Sequence, residues 1–126
     1  MRVQDILSEE VSQRELYTVE RFADDLWRQY GIDVQFTKHF VERVNDPRNN
    51  PPIYVDDLID MFRKEYHSQG EHISQLPDQS QGVMRDMFTK LNLPFVIIDG
   101  KRGKTMVTKT AMRKKDFRTS NPTFDV

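Results

Sequence analysis

The apolar positions of the chain follow two regimes: a helical spacing through the first half, and an alternating or continuous one in the last third. Ser12 and Glu15 stand at capping-box spacing, and Leu16, Val19, Phe22, Ala23, Leu26, Trp27 and Tyr30 then recur at helical intervals until Gly31. This predicts an amphipathic helix of about five turns. Ile32, Val34 and Phe36 alternate with Asp33 and Gln35, the period of a short half-buried strand. Thr37 is placed to cap a second helix with Phe40, Val41 and Val44 facing inward, and the polar, proline-rich run 45–52 stops it. A third helix is expected from about Val55, with Leu58, Ile59, Met61, Phe62 and Tyr66 on its apolar side and Gly70 as its stop.

Residues 71–82 read as a turn of helix at 73–76 followed by a loop, and 83–91 fit a helix or a strand. The run 93–98 is apolar and of strand length, 99–103 is a turn, and 105–112 alternates Met106, Thr108, Thr110 and Met112 against Val107, Lys109 and Ala111. The two runs predict a β-hairpin, followed by a final edge strand at 123–126. Helices first and sheet second predict one α+β domain, with N-terminal helices packed on a small C-terminal antiparallel β-sheet.

Composition and charge sharpen this picture. The chain has 126 residues, enough for one core, and no apolar run approaches the roughly 18 residues of a membrane span. Acids in the first ten residues stand where a secretory signal would carry its apolar stretch, so the chain is expected to stay in the compartment that made it. With 0 Cys there is no thiol nucleophile and no Cys-based zinc site, and His39, His67 and His72 do not match a metal-ligand spacing, so neither metal nor cofactor is expected. The formal charge of −1 conceals an asymmetry: 101–118 holds eight basic residues against the single acid Asp116, a net +7 that leaves −8 on the rest. Such a segment suits phosphates, and RNA or another single-stranded nucleic acid is the expected partner. The plainer alternative is a solvated strand face and loop.

Two clusters hold the candidate chemistry. His39 and Arg43 are four apart on the second helix and share one face. An imidazole that exchanges a proton, beside a guanidinium that holds phosphate, is the minimum kit for cleaving RNA through attack by its own 2′-hydroxyl. On the plainer alternative His39 is a surface helix residue and Arg43 pairs with Glu42, Asp46 or another acid. The second cluster lies on 105–113, where hydroxyls of Thr108 and Thr110 and the cations Lys109 and Arg113, with Lys104 just before and Lys114 and Lys115 just beyond, suit phosphate oxygens. Threonine is also simply a good strand residue.

Together, Thr37-Lys38-His39-Phe40-Val41-Glu42-Arg43-Val44, the polar loop, Ile53-Tyr54-Val55-Asp56-Asp57-Leu58-Ile59 and the closing Val107-Thr108-Lys109-Thr110 resemble phage-borne members of the barnase, EndoU and RelE-like nuclease superfamily. The resemblance covers roughly 32–121 and implies a metal-independent endoribonuclease. In it His39 would be general acid or base, Arg43 and Lys109 would hold the scissile phosphate, and Thr110 would donate a hydrogen bond to it. No second His or Glu matches the complementary base of that pattern. The start of the chain resembles the leader of internal head proteins of large tailed phages, with Leu7-Ser8-Glu9 matching a Leu-x-Glu processing site. This implies a leader over 1–11, cut after Glu9, a domain over 12–126, and a place in the host cytoplasm or the phage head. The rival reading keeps the fold but not the activity: a virion-internal or host-takeover protein that binds nucleic acid, a capsid component or a host protein.

Overall fold

Ser12 opens helix α1 (Gln13–Trp27) as its spacing predicts. Its hydroxyl accepts the Glu15 N–H at 3.1 Å and the Glu15 carboxylate accepts the Ser12 N–H at 2.9 Å. This is a computed structural model that describes residues 11–126, so the expected leader apart from Val11, with its Leu7-Ser8-Glu9 motif, lies outside the described residues. Val11 belongs to the folded unit: it is buried, its N–H donates to Asn45 Oδ1 at 2.9 Å, and its carbonyl accepts from Asn45 Nδ2 at 2.8 Å.

A 3-10 turn (Arg28–Tyr30) and Gly31, in the left-handed region at φ 73°, deliver the chain into strand β1 (Ile32–Phe36), which buries Ile32 and Val34. Helix α1 lies along this strand. Asp24 Oδ1 accepts the Val34 N–H at 2.9 Å and Glu20 Oε2 accepts the Phe36 N–H at 2.7 Å. Thr37 then caps the short helix α2 (Lys38–Val44), which buries Phe40 and Val44. After the polar loop comes α3 (Val55–Ser74), which buries Leu58, Met61, Phe62 and Ile73. Gly70 does not stop α3. Its place there is a close approach, because a Cβ would sit 2.5 Å from Tyr30 Cε2.

The ambiguous run after α3 resolves as strand β2 (Gln81–Asp86), a turn over 87–90, and strand β3 (Leu91–Gly100). Strand β4 (Gly103–Thr108) completes the expected hairpin, and the short β5 (Met112–Arg113) and β6 (Thr123–Asp125) follow. The sheet order is β1-β4-β3-β2-β6, with β5 also pairing to β3. The α+β class holds, but the sheet is mixed and is not confined to the C-terminal part of the chain. β1 joins β4 in parallel, from Ile32 opposite Lys104 to Phe36 opposite Thr108, and β6 joins β2 in parallel. Both parallel partners are brought in from outside the antiparallel β2–β3–β4 unit, where local turn chemistry gives no pairing signal.

β4 and β5 behave as one strand interrupted by a bulge. Phe95 faces Thr108, whereas Asn92 faces Met112, so three steps along β3 oppose four along its partner. The interruption falls opposite Pro94, which has no N–H to give the ladder, though its carbonyl accepts the Lys109 N–H at 2.9 Å. Helices and sheet enclose a core in which Trp27, Phe40, Phe62 and Phe95 are completely buried. A carboxyl without a partner shares this interior: Glu65 of α3 has 0% exposure, and neither of its oxygens has a hydrogen-bond partner among the described residues. Burial, opposed by the nearby Arg85 backbone and reinforced by Asp125 and Asp86, pushes its pKa up to about 9. Among the described residues no helix is long and apolar enough to cross a membrane.

Candidate functional site

Helix α2 is stitched to the bulged strand at both ends. At its start, the Thr37 hydroxyl accepts the Phe40 N–H at 3.0 Å and donates to the Lys109 carbonyl at 2.8 Å, while the Thr37 N–H donates to the Thr108 carbonyl at 3.2 Å. At its end, buried Asn49 donates to the carbonyls of Arg43 and Val44 at 2.9 and 3.3 Å and accepts the Arg113 N–H at 2.8 Å. The segment between these anchors is the bulge. Between helix and bulge lies a cavity of about 540 Å³, into which His39 and Arg43 project from one side and Thr110 and Lys114 from the other.

The loop after α2 supplies the rest of the wall. Asp46 binds Arg48 through its N–H at 2.8 Å, Nε at 3.1 Å and Nη2 at 2.8 Å, and also accepts from Arg43 Nη1 at 3.2 Å. The Arg48 side-chain and backbone bonds hold this carboxyl well below the usual carboxylate range, against the opposing effect of burial. Asp46 therefore stays ionised near neutral pH, and its part is to orient two guanidiniums. Arg43, Arg48 and Lys114 face that single acid, so the cavity carries net positive charge and suits a phosphate. His39 supplies its imidazole, the side-chain type most often used as general acid or base.

The structure thus brings His39, Arg43, Thr110 and Lys114 together and disperses the other candidates. Lys109 does not line this cavity; its ammonium donates to Gln81 Oε1 at 2.6 Å. Lys104 donates to the carbonyls of Ser74 and Leu76 at 2.6 and 2.7 Å, closing the end of α3. Thr108 is fully buried, so its hydroxyl cannot meet a ligand. Lys115 lines a neighbouring cavity. Arg113 reaches the edge of both, yet its side chain is only 6% exposed and all three of its guanidinium nitrogens are spent on protein acceptors. It is a staple of the fold and not a free phosphate ligand.

The sequence names Asp46 only as a candidate partner of Arg43, a pairing present at 3.2 Å, and gives no role to Arg48 and Asn49, because they sit in a run that reads as a helix stop. A signal was there: Asp two residues before Arg is the spacing at which an Asx turn closes on the following N–H, which Asp46 and Arg48 do. Two acids from the adjacent pairs Asp24-Asp25 and Asp56-Asp57 also have work: Asp24 holds β1, and Asp57 pairs with Arg113 at 2.9 Å. Comparison of the chain with protein-family models, with curated proteins and with solved structures finds no match.

Proposed function

We propose that the cavity between α2 and the bulge binds the phosphate of an RNA strand and supports its cleavage through the RNA's own 2′-hydroxyl. One observation carries this reading: residues far apart in sequence, His39 and Arg43 on the helix and Thr110 and Lys114 beyond β4, line one cationic cavity. In the proposed reaction the 2′-oxygen forms a bond to phosphorus as His39 takes its proton, and the P–O5′ bond breaks, with the 5′-oxygen taking a proton from water. Arg43 and Arg48 neutralise the phosphate oxygens, and the Thr110 hydroxyl donates to one of them. The products are a 2′,3′-cyclic phosphate and a 5′-hydroxyl.

The test is end-labelled RNA incubated in EDTA. Cleavage leaving cyclic phosphate ends is expected, and His39→Ala is expected to reduce it by about 10²–10⁴-fold with little change in Tm, since an exposed imidazole contributes little packing. Undiminished cleavage by His39→Ala refutes the assignment of the proton transfer.

A second reading, binding without turnover, is favoured by one feature. Among the described residues lining the cavity, His39 has no second acid–base group beside it, because Asp46 is held ionised. Both readings expect RNA affinity to fall steeply with salt. Arg48→Ala and Lys114→Ala should each lower the slope of log K against log salt by about one, and an affinity insensitive to salt would sink both.

A further inference from the structure

Beside the phosphate cavity, on the other side of the Arg113 staple, lies a second cavity of about 450 Å³ with a different character. Phe88 from the β2–β3 turn and Tyr54 from the start of α3 both line it, and they are among the large hydrophobic side chains left exposed, at 88% and 41%. The Phe88 turn is built to hold that ring in water. Asp86 Oδ1 accepts the N–H groups of Phe88 and Thr89 at 2.9 and 3.1 Å, the Asp86 carbonyl accepts the Lys90 N–H at 2.9 Å, and Lys64 anchors the Asp86 carboxylate at 3.0 Å. Lys90 also closes the turn through the Met87 carbonyl at 2.7 Å. A rigid turn presenting a bare ring is preorganised for a planar partner, since little ordering remains to be done on binding.

Charge decides which partner. Lys90 and Lys115 line this cavity, Lys114 lines the first, and the one carboxylate among the described residues of the wall, Asp57, is paired with Arg113. Cations beside aromatic faces are the arrangement that binds single-stranded nucleic acid, with bases stacked on rings and the backbone tracked by lysines. We infer that the second cavity is a base-stacking subsite: one unpaired base of a strand whose phosphate occupies the His39 cavity lies against Phe88 and Tyr54. The subsite rests on the nucleic-acid reading of the first cavity and adds that the ligand is single-stranded, because a base within a duplex has no free face to offer.

The test is anisotropy with a fluorescein-labelled 2′-O-methyl octanucleotide, which has no 2′-hydroxyl and so cannot be cleaved by this route. Phe88→Ala and Phe88→Leu should each weaken binding by about 5- to 100-fold, Phe88→Trp should restore it, and the salt slope should be unchanged in all three. The same oligonucleotide annealed to its complement should bind wild-type protein more weakly than the single strand. Retention of affinity in Phe88→Leu overturns stacking in favour of simple apolar contact. If affinity is unchanged in Phe88→Ala but lost in Arg48→Ala, the subsite fails while the phosphate cavity stands, and the turn is then a surface for a protein. Absence of binding by the wild-type protein overturns both.

Discussion

Arg113→Ala is expected to lower the unfolding free energy by about 2–4 kcal/mol, because it removes the charged donor from a partly buried ion pair and from three carbonyls. The guanidinium donates through Nε to the Pro51 carbonyl at 3.0 Å, through Nη1 to Thr89 at 2.9 Å, and through Nη2 to Pro52 and Asp57, both at 2.9 Å. Alanine leaves those three carbonyls and one carboxylate short of a donor at the junction of the post-α2 loop, α3 and the Phe88 turn. Arg113→Lys should recover only a minor part, because an ammonium cannot reproduce a planar fork that serves four acceptors. Alanine at exposed Lys114 or Lys115 should change stability by no more than about 0.5 kcal/mol. Urea melts of the four variants decide the matter; an Arg113→Ala loss below about 1 kcal/mol would show that the staple is dispensable.

Glu65→Gln is expected to change the pH dependence of stability strongly. The folded protein keeps this carboxyl protonated to about pH 9, whereas the unfolded chain releases the proton near the model-peptide value of 4.5. Between those limits the unfolded state binds fewer protons, so stability falls as pH rises, by about 1.4 kcal/mol per unit. The contribution is complete below pH 4.5 and lost by pH 9. Glutamine cannot ionise, so relative to wild type its stability should climb by roughly 4 kcal/mol from pH 5 to pH 8. Using the difference between the two proteins cancels the other titrating groups. A difference that stays flat with pH would mean the carboxyl is charged or hydrated in its site.

Local signals carried much of this architecture. The capping box at Ser12, the alternation of Ile32, Val34 and Phe36, the Thr37 cap and the hairpin turn were all legible, because each is decided by neighbours a few residues away. What stayed hidden depends on distant partners. Nothing in 32–36 says that β1 will pair in parallel with a strand some seventy residues later. Gly70 resembles a helix stop until Tyr30 is known to lie over it. Arg113, Lys114 and Lys115 are alike as letters, and only the carbonyls of Pro51, Pro52 and Thr89 separate the staple from the free cations. Glu65 sits within a helix most of whose charged positions are exposed. For the site, helical spacing placed His39 beside Arg43 and strand position brought Thr110 near, while Lys109, on the opposite face of that alternation, reaches Gln81 instead.

The bonds from Asp24 and Glu20 to β1 bear on how the protein behaves in a crowd. An outer strand with bare N–H groups invites a strand from another molecule, the first step of sheet-mediated aggregation. Here the outward donors of Val34 and Phe36 are already occupied by side chains of the same chain. An incoming strand would have to displace two carboxylates and would meet their negative charge as it approached. The helix that buries one face of β1 therefore also insulates its rim, and sheet growth is blocked on that side.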